Sequence, residues 1–383
     1  MADPDGTLAD TAIAVHDAHG DGGALCRFCR TPLTHTVVNL GVSPLCESFL
    51  TADELNRMEP FYPLHAKVCD SCFLVQLEEY VAPAEIFTEY AYFSSYSDSW
   101  VQHAKRYTED MVERFALDGE SMVVELASND GYLLQHFVES GIPCLGVEPA
   151  ANVAKAAEER GVPTRVVFFG RDEARRMRDE GYGADLMAAN NVLAQVPDLN
   201  DFVGGIAELL TPRGVCTFEF PHLLTLMQDC LYDTIYHEHF SYFSLITTEK
   251  IVGAQGLEVF DVELLPTHGG SLRVFVCHEG SREVTDAVAD LRSAELSEGL
   301  NLMSSYEAFD EKVKASKRSL LAFLIEAKDQ GKRVVGYGAP GKGNTLLNYC
   351  GIGPDLIEFT VDRNPYKHGR FTPGMRIPIH APE

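Results

Sequence analysis

Two Cys-x-x-Cys knuckles, Cys26-Arg-Phe-Cys29 and Cys69-Asp-Ser-Cys72, lie 39 residues apart near the start of the chain. Together they offer four thiolates, a complete tetrahedral set for Zn²⁺. A complete set leaves no position for water or substrate. The metal is therefore expected to be structural, with the chemistry further along the chain. The bland alternative is two ordinary thiol pairs or a disulfide. Ten cysteines spread over 383 residues do not form a disulfide framework. Cys46, Cys144, Cys216, Cys230, Cys277 and Cys350 read mostly as small core residues.

The stretch from 120 to 220 alternates apolar runs with helical patterns. Strands are expected at 122–127, 143–148, 164–169, 184–190 and 214–220, with helices between, so a parallel sheet covered on both faces follows. Two more strands are expected at 257–263 and 271–278. Residues 282–330 read as helical. A second α/β unit is expected from strands at 333–338 and 358–362 around a helix near 344–349. The chain ends soon after a strand-like stretch, so this second sheet reads as incomplete. These patterns divide the chain into a disordered tail (1–24), a zinc module (25–82), a first α/β domain (83–280) and a second (281–383).

The net charge, 31 − 57 = −26, opposes nucleic acid and anionic membranes as partners. No apolar run is long enough to span a bilayer, and no secretory pattern opens the chain. A cytoplasmic location is expected.

Three places carry chemistry. The first is the turn Glu125-Leu-Ala-Ser-Asn-Asp-Gly131 after the first strand, with Glu148 ending the next. A ligand there meets a sheet edge and a helix N-terminus, and Glu148 can accept from both ribose hydroxyls. This is the layout of an S-adenosylmethionine site, with Ala127 and Asn129 where glycines are usual. It is also the layout of any tight strand-to-helix turn. Phe168 and Phe169 are candidates for the adenine edge, and Asn190 and Asn191 for the methionine or substrate side. The second place is Tyr236-His237-Glu238-His239-Phe240, three titratable residues in an apolar setting. A histidine there can act as general base. A zincin-type motif is excluded, because Ser241 stands where its second histidine is required. The third is Gly336-Tyr-Gly338-Ala-Pro-Gly341, followed by Lys342 and, after the next strand, Asp362. It fits a dinucleotide or a nucleotide-sugar diphosphate. His268-Gly-Gly-Ser271 with Arg273 reads either as a phosphate-facing loop or as a hairpin turn.

The four motifs, in this order, resemble the three-domain nucleotide-sugar C-methyltransferases, which act on keto-deoxysugars in antibiotic and surface-glycan pathways. The resemblance covers the chain from about Leu25 onward. It implies a zinc module, a class I methyltransferase domain of Rossmann-like fold, and a C-terminal Rossmann-like α/β domain that helps hold the nucleotide-sugar. It implies S-adenosylmethionine and structural zinc as cofactors. His239 is then the base, Tyr236 and Glu238 line the sugar site, and Tyr90 or Tyr92 also faces the sugar. The chain departs from the family at Gln195, where histidine is usual. Glutamine can hydrogen-bond a sugar oxygen but carries no proton at neutral pH. A nicotinamide-dependent (NAD(P)) nucleotide-sugar oxidoreductase, or a methyltransferase-like protein with altered activity, are the competing readings.

Overall fold

The structure, a computed structural model, describes residues 24–82 and 93–382. Tyr90 and Tyr92 lie outside the described residues, as does nearly all of the expected tail.

Strands are numbered β1–β14 and helices α1–α10 in chain order. The N-terminal sheet is antiparallel, in the order β1 (His35–Ser43), β2 (Tyr62–Val68), β3 (Val75–Gln76), β9 (Ser241–Tyr242). In β2, Leu64, Ala66 and Val68 turn inward while His65 and Lys67 stay half-exposed. That is the two-residue period of a strand with one covered face. Tyr306, Phe309 and Val313 of the long helix α9 (Met303–Asp329) belong to the core under this sheet. β9 is a surprise: it comes from just beyond the Tyr236–Phe240 stretch, yet it pairs with the zinc module through Val75–Tyr242 and Gln76–Ser241.

The central sheet has seven strands: β4 (Val123–Leu126), β5 (Cys144–Val147), β6 (Thr164–Arg165), β7 (Ala184–Asn190), β8 (Leu210–Pro221), β10 (Leu257–Leu265) and β11 (Ser271–His278). Their spatial order is β6-β5-β4-β7-β8-β11-β10. The first five are parallel, and β11 runs antiparallel between β8 and β10. Counted within the sheet this is 3-2-1-4-5-7-6, the class I methyltransferase arrangement. β4 and β5 are buried throughout, as a parallel sheet packed on both faces requires. The chain order reverses between β4 and β7. That is where a doubly wound sheet opens a crevice at its C-terminal edge.

The third strand is shorter than expected. Pairing stops at Arg165, and the apolar Val166 and Phe168 are exposed. The C-terminal unit has a small parallel sheet of β12 (Gly336–Tyr337), β13 (Thr360–Val361) and β14 (Ile379–His380), with helix α10 (Gly341–Cys350) after β12. It is fastened to the zinc module: Leu50 pairs with Phe371, and Arg376 donates to the Leu55 carbonyl.

Candidate functional site

Each knuckle is a tight turn. Arg30 and Phe73 follow the second cysteine of their pairs at φ 63° and 66°, and their N–H groups return to the Cys26 and Cys69 carbonyls at 2.9 Å. The four sulfurs lie within 4.8 Å of one another, with Cys26–Cys72 at 3.6 Å and Cys29–Cys69 at 3.4 Å. Sulfurs of a disulfide would be about 2 Å apart. Four sulfurs about 2.3 Å from a tetrahedral Zn²⁺ stand roughly 3.8 Å apart. The set therefore fits zinc. The Gln76 amide donates to Cys26 Sγ at 3.2 Å, the kind of outer contact that orients a thiolate ligand.

At the first nucleotide turn, Ala127 and Asn129 adopt φ 54° and 49°, and Gly131 φ 76°. The residues standing in for glycine thus take glycine-like conformations. At Gly131 a side chain would meet Val162 and Ala157 at 3.0 and 3.1 Å, so glycine lets the turn close against the next helix. Glu148 is buried, accepting the Asn129 and Ala150 N–H groups at 2.9 Å each. Burial pushes its carboxyl up, against those two amides. Glu125 is also buried, and burial beside Glu148 and Asp130 drives it well up. One oxygen each of Glu125 and Asp130, together with the Ser128 hydroxyl, is buried without a partner among the described residues. Orphaned acceptors at the crevice suit a ligand that brings hydroxyls and an ammonium. S-adenosylmethionine is such a ligand. Asp130, which sequence reasoning passed over, is also held by Arg160 at 2.9 Å, while Asn129 accepts from Ser94 N–H. Phe169 packs edge-on against Phe202, ring centres 5.7 Å apart, whereas Phe168 stays exposed at the same edge. Asn190 accepts from Thr217, and the Asn191 N–H bonds the Glu219 carbonyl at 2.6 Å.

The Tyr236–Phe240 stretch follows β8 and leads directly into β9. His239 is 9% exposed. Its Nδ1 lies 3.0 Å from the Thr234 carbonyl and its Nε2 lies 2.9 Å from the Tyr236 hydroxyl. A carbonyl only accepts, so Nδ1 carries the proton and Nε2 presents its lone pair. Burial lowers the ring to about 3, with Lys342 and His268 adding to the effect against the Thr234 bond. Glu238, also buried, accepts from the Cys46 thiol at 3.5 Å. The glycine loop meets the turn between β10 and β11 at Lys342, whose ammonium donates to the His268 carbonyl at 3.0 Å. His268 sits in the turn between β10 and β11 at φ 54°, so that segment is a hairpin turn, and its ring lies 5.1 Å from Trp100. Gln195 ends a 3₁₀ turn whose Ala194 carbonyl accepts the Phe240 N–H.

The glycine loop is used differently from its sequence pattern. Gly338 does take φ 97°. Asp362, however, spends its oxygens on the N–H groups of Ala339 (2.7 Å) and Asn364 (2.8 Å). At the start of this helix, where a phosphate would sit, the Glu47 side chain of the zinc module lies beside Gly341. Lys367 lies 3.5 Å from the same carboxylate. A side chain at Gly341 would come within 3.0 Å of Cys46 Sγ and 3.2 Å of Glu47. An internal carboxyl group thus occupies the space at this helix start, and a dinucleotide phosphate would have to displace it.

Three family models match in succession: a zinc binding domain over residues 26–87, a methyltransferase domain over 100–262 and a C-methyltransferase C-terminal domain over 266–383. C-methyltransferase NovU of Streptomyces niveus is 36% identical over 362 residues, covering 94% of this chain and 86% of that protein. The chain belongs to this C-methyltransferase family. The enzyme is accordingly an S-adenosylmethionine-dependent methyltransferase with a zinc-binding module. Among solved structures, the methyltransferase is similar to magnesium protoporphyrin IX methyltransferase from Synechocystis PCC 6803 with bound SAM (13% identity, 48% of this chain and 82% of that one, TM-score 0.36). It is also similar to protein PH0226 from Pyrococcus horikoshii OT3 (14% identity, 51% and 98%, TM-score 0.40).

Proposed function

We propose that the enzyme methylates a ring carbon beside the ketone of a nucleotide-linked keto-deoxysugar, with His239 as the base. The observation that carries this reading is the His239 ring itself: fixed at Nδ1 by a main-chain carbonyl, neutral, and presenting Nε2 beside Tyr236 where the methyltransferase sheet meets the Lys342 loop. A ketone acidifies the neighbouring C–H. As the Tyr236 hydroxyl turns from Nε2 to the ketone oxygen, His239 Nε2 takes that proton, and the C–H electron pair becomes an enolate with its charge on oxygen. The Tyr236 hydroxyl, bonded to the ring, and the Lys342 ammonium, whose charge the ring feels, oppose that charge. S-adenosylmethionine supplies an electrophilic methyl group, whose sulfur departs as a neutral thioether. The imidazolium, disfavoured by its buried setting, then returns its proton to solvent.

General-base help is worth about 10²–10⁴-fold for a base that titrates near the working pH, so the enolate's charge must lift the ring from about 3, and holding two substrates in register contributes more. Glu238, Gln195 and Asn191 line the sugar side in this reading. Glu125, Asn129, Gly131, Glu148, Phe168, Phe169 and Asn190 form the donor side. Among the described residues no helix is long and apolar enough to cross a membrane. A nucleotide-sugar substrate and the −26 net charge fit a cytoplasmic enzyme that does not bind nucleic acid. The test is methyl transfer to a nucleoside-diphosphate 4-keto-6-deoxyhexose. His239→Asn is expected to abolish it while both ligands still bind; near-normal turnover in that variant would remove His239 as base.

A further inference from the structure

A second imidazole is held by a buried carboxylate of β8, and no sequence motif announced it. His103 lies on helix α1 (Asp98–Phe115), and its Nε2 meets both oxygens of Glu219 at 3.1 and 3.2 Å. Glu219 lies near the end of β8 and is wholly buried. It also accepts from Thr267 Oγ1 and Arg273 Nη2, each at 3.0 Å. Burial alone would raise its carboxyl, but His103 and Arg273 outweigh this and hold it below its ordinary range. Glu219 is therefore an ionised acceptor, and the proton of the pair sits on His103 Nε2. In the tautomer with that proton on Nε2, Nδ1 presents a lone pair. Among the described residues Nδ1 has no hydrogen-bond partner.

The ring's position says what it faces. His103 stacks on Trp100 with centres 5.0 Å apart, and Trp100 in turn lies 6.3 Å from Tyr132, the residue after Gly131 of the donor turn. Glu219 is the register partner of Asn190. The ribose end of the donor belongs at Glu148, at the end of β5. The donor's amino-acid end then runs across β4 toward the ends of β7 and β8, beneath α1. That end carries an α-ammonium, which needs acceptors, and a carboxylate-backed imidazole lone pair is one.

We propose that His103 Nδ1 accepts a hydrogen bond from the α-ammonium of S-adenosylmethionine, with Glu219 as the residue that fixes the ring. This rests on the donor assignment, and the test separates the two. Binding of S-adenosylhomocysteine and of its desamino analogue is measured by calorimetry on the full chain. The wild type is expected to favour S-adenosylhomocysteine by about tenfold or more, as a hydrogen bond to a charged group warrants. In His103→Gln the amide nitrogen can keep the bond to Glu219, but nothing replaces Nδ1. That variant is expected to lose the preference, with affinity for the desamino analogue little changed. His103→Asn places an acceptor near the Nδ1 position and is expected to restore part of it. A preference retained in His103→Gln overturns the proposal, as does equal loss for both ligands. Because the readout is a ratio within one variant, a misfolded fraction cancels. If the wild type binds neither ligand, the donor assignment itself fails.

Discussion

Taking the protein from about pH 7.5 to about pH 5 protonates residue 239 in the unfolded chain and not in the folded one. The imidazole has an ordinary value of 6.5, and burial lowers it to about 3 in the fold. The sign follows. Between those values the unfolded chain binds more protons, so stability falls as the pH drops through 6.5 and goes on falling toward 3. At pH 5 the native ring is still neutral. At about 1.4 kcal/mol per pH unit below 6.5, the loss is about 2 kcal/mol relative to neutral pH. Other groups pull the opposite way: Glu125, Glu148 and Glu47 are raised by burial, so acid protonates them more readily in the fold than in the unfolded chain. The effect must therefore be read as a difference. Urea unfolding of wild type and His239→Asn at the two pH values isolates it, because the variant lacks the titrating ring. The variant is expected to lose about 2 kcal/mol less than the wild type on acidification. Equal losses in the two proteins would refute the claim that the ring is buried and neutral.

The knuckles should carry about one zinc per chain by elemental analysis. Cys69→Ser should lower the thermal midpoint along with metal content, since a structural site contributes folding free energy directly; full stability without metal would overturn that role. Glu47→Ala should loosen the C-terminal unit by about 1–3 kcal/mol, because it leaves the buried Lys367 ammonium without its carboxylate, read as a lower unfolding midpoint. Wild type should show no tight nicotinamide-dinucleotide binding, because Glu47 fills the space at the helix start and Asp362 is spent on backbone N–H groups; a micromolar complex would contradict that picture.

Much of the central sheet was legible because β-rich apolar runs were separated by clear turn residues. Strands 184–190 and 271–278 fall where the pattern places them. The run Val166-Val-Phe-Phe169 misled because an apolar stretch says nothing about whether a partner strand continues beside it. The metal set was readable because a knuckle is local. His103, Glu219 and Asp130 were not, since their meaning depends on partners up to 116 residues away. The glycine loop shows the converse case. Its pattern was literal and its backbone takes the expected turn, yet a carboxylate from a distant segment fills the helix end. The pairing of β9 with the zinc module likewise left no local trace, because a two-residue strand carries too little pattern to read.

The central claim is proton removal by His239, and isotope exchange reads that step without the methyl transfer. The enzyme is incubated in D₂O with the keto-sugar nucleotide and S-adenosylhomocysteine in the donor's place, and deuterium at the carbon beside the ketone is followed by NMR. Wild type is expected to wash deuterium into that position, and His239→Asn to leave it protonated at the uncatalysed rate. Exchange in His239→Asn at the wild-type rate would contradict the account.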